Sequence, residues 1–127
     1  MGNMDFTNLR VWQEAKNLAV LIYKITEKDP ISKDFSFKDQ IRRSATSIPS
    51  NIAEGNDRET YKEFIRFLYI AKGSTAELLN QVMIGKEIGY FSDDFDELNE
   101  RCMKISKMIG SLIKTIKRYD TNSTIKT

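Results

Sequence analysis

Two sets of residues in this chain have types and spacings that could do chemistry. The first is basic. Lys104, Lys107, Lys114 and Arg118 follow a three-and-four spacing with Ser111 filling the gap. On a helix that spacing draws one stripe, which suits contact with a row of phosphates. Arg42, Arg43, Arg58, Lys62 and Arg66 make a second basic group further upstream. The alternative for both is a solvated face with glutamates interspersed. The second set is Arg43, Asn51 and Glu54, polar residues around Pro49. They suit either a small ligand site or a hydrogen-bonded network, and buried polar groups need partners in any case.

Other chemistry has little to work with. The chain contains no histidine, so histidine acid–base catalysis and Ser-His or Cys-His nucleophiles are absent. Glu54, Asp57 and Glu59 lack a metal-ligand spacing. Cys102, the single cysteine, falls on an apolar stripe and reads as a packed hydrophobe. Lys72-Gly73-Ser74 has no glycine-rich run before it and lies mid-helix, so it is not a phosphate loop. No cofactor is expected. Twenty basic against eighteen acidic residues leave a net charge of +2, too small to demand a polyanionic partner and too small to exclude one. No apolar run approaches the roughly 20 residues of a membrane span, and no signal-peptide pattern opens the chain, so a cytoplasmic protein is expected.

The elements that must carry these residues are helices. The 127 residues suit one domain, with helices over 1–119 and a flexible polar tail at 120–127. The first helix is expected from about Thr7 to Lys28, with a seam of Leu9, Trp12, Ala15, Ala19, Ile22 and Thr26 flanked by Val11, Leu18 and Ile25. Asp29-Pro30 stops it. The second helix has Ser36 as N-cap and Gly55 as its left-handed end, with Ile41, Ala45, Ile48 and Ile52 as seam and a kink at Pro49. Thr60 and Glu63 form a capping box for the third helix, whose seam runs Tyr61, Phe64, Leu68, Ala71, Thr75, Leu78, Val82, Gly85 and Gly89. Ser92 caps the fourth, with Phe95, Leu98, Cys102, Ile105, Ile109, Leu112, Ile116 and Tyr119 inward. Such seams belong to a bundle and predict an all-α protein of four helices. The basic stripe lies two residues on from the fourth seam, about 200° around the helix, and so faces outward. The third helix is apolar on several sides at once. Ile65, Phe67, Tyr69 and Ile70 cannot all share its seam, which points to contact with another subunit.

Three stretches in order carry a resemblance. They are Val11-Trp12-Gln13-Glu14-Ala15 with Tyr23-Lys24-Ile25-Thr26; Arg42-Arg43-Ser-Ala-Thr-Ser-Ile-Pro-Ser-Asn-Ile-Ala-Glu-Gly55; and Phe64-Ile-Arg-Phe-Leu-Tyr-Ile-Ala-Lys-Gly-Ser74 with Glu77-Leu78 and Gly89-Tyr90. From about Phe6 to Tyr119 the chain resembles the four-helix-bundle proteins encoded in intervening sequences of bacterial 23S ribosomal RNA genes. It departs from that pattern only around Asp29-Pro30 and Phe35-Ser36-Phe37. The resemblance implies an antiparallel four-helix bundle, running up-down-up-down, that assembles as a ring, typically a homopentamer, and it implies no established activity. The family is similar in fold to accessory proteins of diversity-generating retroelements, which bind nucleic acid and a reverse transcriptase. The combined expectation is a non-enzymatic ring whose partners are copies of itself and RNA or DNA. The other reading is a protein scaffold without nucleic-acid affinity.

Overall fold

The computed structural model describes residues 5–126, with side chains as far as Asp120. Four helices follow one another: α1 Arg10–Thr26, α2 Phe35–Asn56, α3 Tyr61–Glu87 and α4 Phe95–Lys126. Single 3-10 turns at Phe6–Asn8 and Ile31–Lys33 precede α1 and α2. No strand occurs among the described residues. Each helix packs against two others, α2 against α1 and α3, and α4 against α3 and, more lightly, α1.

The seams converge on one core. Ile41, Ala45, Ile48 and Ile52 of α2 are fully enclosed, as are Leu68, Ala71, Leu78 and Val82 of α3 and Leu98 and Ile109 of α4. On α1 the core takes in the expected flank and most of the expected seam, Thr26 included. Val11, Leu18 and Ile25 are buried together with Ala15, Ala19 and Ile22, while Leu9 and Trp12 sit only partly covered at its edge. On α4 the inward line shifts by one position late in the helix. Ile113 is buried, Leu112 is half-covered, and Tyr119 stands exposed, stacked on Tyr61 at 6.4 Å. A straight helix drifts against a strict seven-residue repeat, and that drift moves the line.

The helix ends show where local signals were overruled. Asp34, not Ser36, caps α2: its carboxylate accepts from the Phe37 N–H at 3.2 Å and from the Tyr90 hydroxyl at 2.7 Å. Those bonds, Tyr90 foremost, hold the Asp34 carboxyl below its ordinary range. Gly55 does not end α2 in a left-handed turn. It lies inside the helix, which continues to Asn56. Its function is close approach. A Cβ placed there would come within 2.7 Å of Phe67 Cβ and 3.3 Å of the Phe64 carbonyl. The left-handed glycine is Gly89, at φ +90°, where the chain leaves α3. Thr60 caps α3 by accepting from the Glu63 N–H at 3.2 Å, but the Glu63 carboxylate turns to Arg66 instead of closing a capping box. Ser92 lies in the turn before α4, whose first N–H, that of Phe95, reaches the Phe91 carbonyl. The expected tail at 120–127 falls mostly outside the described side chains, and the backbone of α4 stays helical to Lys126.

α2 remains helical through Pro49. Around it the small polar residues bond backward. Ser44 reaches the Gln40 carbonyl, Thr46 the Arg42 carbonyl, and the Asn51 amide the Ser47 carbonyl at 2.8 Å. Such back-bonding occupies hydroxyls that would otherwise be left dry between helices. Among the described residues no helix is long and apolar enough to cross a membrane.

Candidate nucleic-acid interface

The basic residues divide by what already holds them. Arg42 is committed inside the fold. Its guanidinium donates to the buried Thr26 hydroxyl at 2.8 Å, to the Tyr23 carbonyl at 3.3 Å and to Glu27 at 2.9 Å, and it lies 4.4 Å over the Tyr23 ring. It joins α2 to the end of α1 instead of facing a phosphate, which corrects its place in the expected interface. Lys104 is committed too. It bonds Glu14 of α1 at 2.7 Å, and that bond holds the Glu14 carboxyl below its usual range. Arg58 and Arg66 pair with Glu54 and Glu63, and their guanidinium groups cover Phe67 at 4.7 and 4.6 Å. Phe67 is therefore only 7% exposed and offers no surface to a second subunit, contrary to expectation. Ile65 is half-buried against the core. Tyr69 and Ile70 are exposed.

The set around Pro49 is not brought together as a site. Asn51 bonds Ser47, whose hydroxyl meets that of Ser74 at 2.9 Å, so this pair ties α2 to α3. Glu54 turns to Arg58, and Arg43 points outward with no ion pair among the described residues. The Cys102 thiol is buried, and desolvation pushes it up to about 12. No group of metal-ligating side chains occurs among the described residues.

Arg43 and Lys62 stand apart without an acidic partner, and a larger group of such cations lies along α4 and the adjoining side of α3. The α4 stretch 101–119 contains no Asp or Glu, and neither does 64–76 of α3. These windows lie side by side. Lys72 of α3 reaches across so that its ammonium would be 3.8 Å from a Cβ on Gly110 of α4. Lys117 of α4 reaches back and bonds the Tyr69 hydroxyl at 2.9 Å, which lowers that phenol's pKa. Lys107 and Lys114 stand three residues before and four after Gly110, on the same side of α4 by helical spacing. Both are exposed, as are Arg118 and Lys72. None of these five carries an ion pair to an acidic side chain among the described residues. The result is a row of exposed cations on α4 joined to α3 through Lys72 and Lys117, with Lys107 bordering the groove toward α1 and Asp120 the next acid along the chain. Lys72 and Lys117 escape a reading of single helices. The signal that could have found them is the missing acid in two windows of the chain at once.

The fold and this strip define a class: a four-helix, all-α protein with one unneutralised basic face. Residues 7–111 match the 23S rRNA-intervening sequence proteins, and the chain belongs to that family. It is also similar to a solved structure of a protein of unknown function from the S23 ribosomal protein family of Bacteroides thetaiotaomicron VPI-5482. The identity is 29% and the TM-score 0.75, over 82% of this chain and 98% of that one. No curated protein matches the chain.

Proposed function

We propose that the protein is a non-enzymatic, nucleic-acid-binding bundle, running up-down-up-down and working in the cytoplasm as a closed homo-oligomer. The observation that carries the nucleic-acid reading is the acid-free lysine face of α3 and α4. Phosphates bound there would release counterions, so affinity should fall steeply with salt. Substituting Lys72, Lys107, Lys114 and Lys117 by Gln alters side chains that serve nothing in the core, so folding should be retained. In titrations with RNA and DNA, the logarithmic salt slope should flatten by roughly 0.7 to 0.9 for each phosphate no longer neutralised. Wild type that binds neither polymer at low salt would leave the protein scaffold as the better description.

Self-assembly is supported by two apolar surfaces with no cover. Ile70, Ile84 and Ile88 project from α3 and its C-terminal end at 41, 47 and 54% exposure. Between α1 and α2 runs an apolar groove of about 530 Å³, lined by Trp12, Val20, Tyr23 and Pro49 and rimmed by Lys16 and Lys24. Glu77, exposed between Ile70 and Ile84, has the charge to meet those lysines. A contact between two such different faces is head-to-tail, and it gives a ring where its rotation closes. Five copies is the number we propose, in keeping with the family resemblance. Light scattering should report an oligomer at micromolar concentration, reduced to monomer by Ile84→Glu. A wild-type monomer would contradict the ring.

A further inference from the structure

Two glycines on the lysine face have no explanation inside the chain. A Cβ at Gly73 would meet nothing within 4 Å, and one at Gly110 would meet only the end of Lys72 at 3.8 Å. Alanine would fit at either position and would make a better helix, since glycine in a helix interior is destabilising. Glycine does serve where a backbone must be approached closely by something else. Here Gly110 lies against the Lys72 ammonium between Lys107 and Lys114, and Gly73 lies one turn on from Tyr69, so each leaves the floor low beside a cationic or aromatic side chain.

Tyr69 stands on the same strip at 49% exposure. Its hydroxyl is held by the Lys117 ammonium at 2.9 Å, and that ammonium is 5.3 Å from the ring centre. The two distances put the cation off the oxygen end of the phenol rather than above the ring. The ring is thus oriented by Lys117 and keeps its faces for another partner. A duplex presents phosphates to such a strip but keeps its bases stacked inside. A single strand presents both, and an aromatic face beside a basic groove is the usual means of holding one.

We infer that the α3–α4 face takes single-stranded nucleic acid, a base stacking on Tyr69 while Lys72, Lys114 and Lys117 hold phosphates over Gly73 and Gly110. This rests on the nucleic-acid reading above and specifies its ligand. The test uses the full chain and three variants, Tyr69→Leu, Gly73→Ala and Gly110→Ala. Each is titrated with a single-stranded RNA of about 12 nucleotides and with a duplex of equal length, and each is melted thermally. Tyr69→Leu should weaken single-strand binding by roughly 5- to 100-fold and leave duplex binding nearly unchanged. Both alanine variants should melt higher than wild type and yet bind the single strand more weakly. That opposition is the signature, because a merely structural glycine would not lower affinity as stability rises. Equal losses on both probes, or unchanged single-strand affinity in all three variants, would overturn the inference while the lysine result kept the broader reading alive. Wild type that binds neither probe would remove both.

Discussion

Four of the helical glycines make a controlled comparison between two regions. At the α2–α3 seam, Gly55 is pressed against Phe67 and Phe64, and near the end of α3 Gly85 lies under Phe91 and Phe37. On the α3–α4 face, Gly73 and Gly110 have room for a methyl group. The first pair answers a demand of packing. The second pair meets no packing demand within the subunit, although glycine weakens a helix interior. Charge divides along the same line. Around the packed region the arginines are spoken for: Arg42 by Thr26 and Glu27, Arg58 by Glu54, Arg66 by Glu63. On the open face the lysines have no acidic partner among the described residues. One region is closed upon itself, and the other is open to solvent, where the proposed ligand would bind.

The largest effect that could break this contrast is at Gly85. Its added Cβ would come within 2.3 Å of the Phe91 ring, which is completely buried and has nowhere to swing. Gly85→Ala should therefore lower stability by about 1–3 kcal/mol in denaturant titration, with Gly55→Ala close behind. A neutral result would mean that the packed region has slack. Next comes Arg42→Ala, expected to be destabilising by about 1–2 kcal/mol because it strips a charged donor from Thr26 and the end of α1. The same substitution should leave any nucleic-acid affinity unchanged, which separates the closed region from the open one. The smallest effect has the opposite sign. Gly73→Ala and Gly110→Ala should each stabilise by roughly 0.5–1 kcal/mol in the absence of ligand.

Much of the fold was legible because apolar spacing along each helix is local information. The seam of α2, and that of α3 as far as Gly85, fell where the three-and-four repeat put them, and so did the polar connection after α2; Gly89, expected on the α3 seam, is instead the left-handed turn beyond it. Residues whose role depends on a distant partner were misplaced. Asp34 caps α2 in concert with Tyr90, 56 positions away, whereas Ser36 had only its local pattern. Lys104 looked free because Glu14 lies 90 positions off. Gly55 has a type that suits both a left-handed turn and a tight contact, and only the Phe67 side chain decides between them. Phe67 itself looked surplus because no sequence pattern shows two arginines closing over a ring. For the site, Lys107, Lys114, Arg118 and Arg43 remain exposed as expected. Lys72 and Lys117 were hidden because their significance arises across two helices and not along one.

Lysine acetylation footprinting of unmodified protein, with and without a single-stranded RNA, tests the central claim most directly, because it reads every lysine in one experiment. Mass spectrometry should show Lys72, Lys107, Lys114 and Lys117 protected by the RNA. Lys33 and Lys86, on loops and ends away from the strip, should react as before. Uniform protection, protection confined to lysines elsewhere, or no change on adding RNA would contradict the assignment of the α3–α4 face as the nucleic-acid surface.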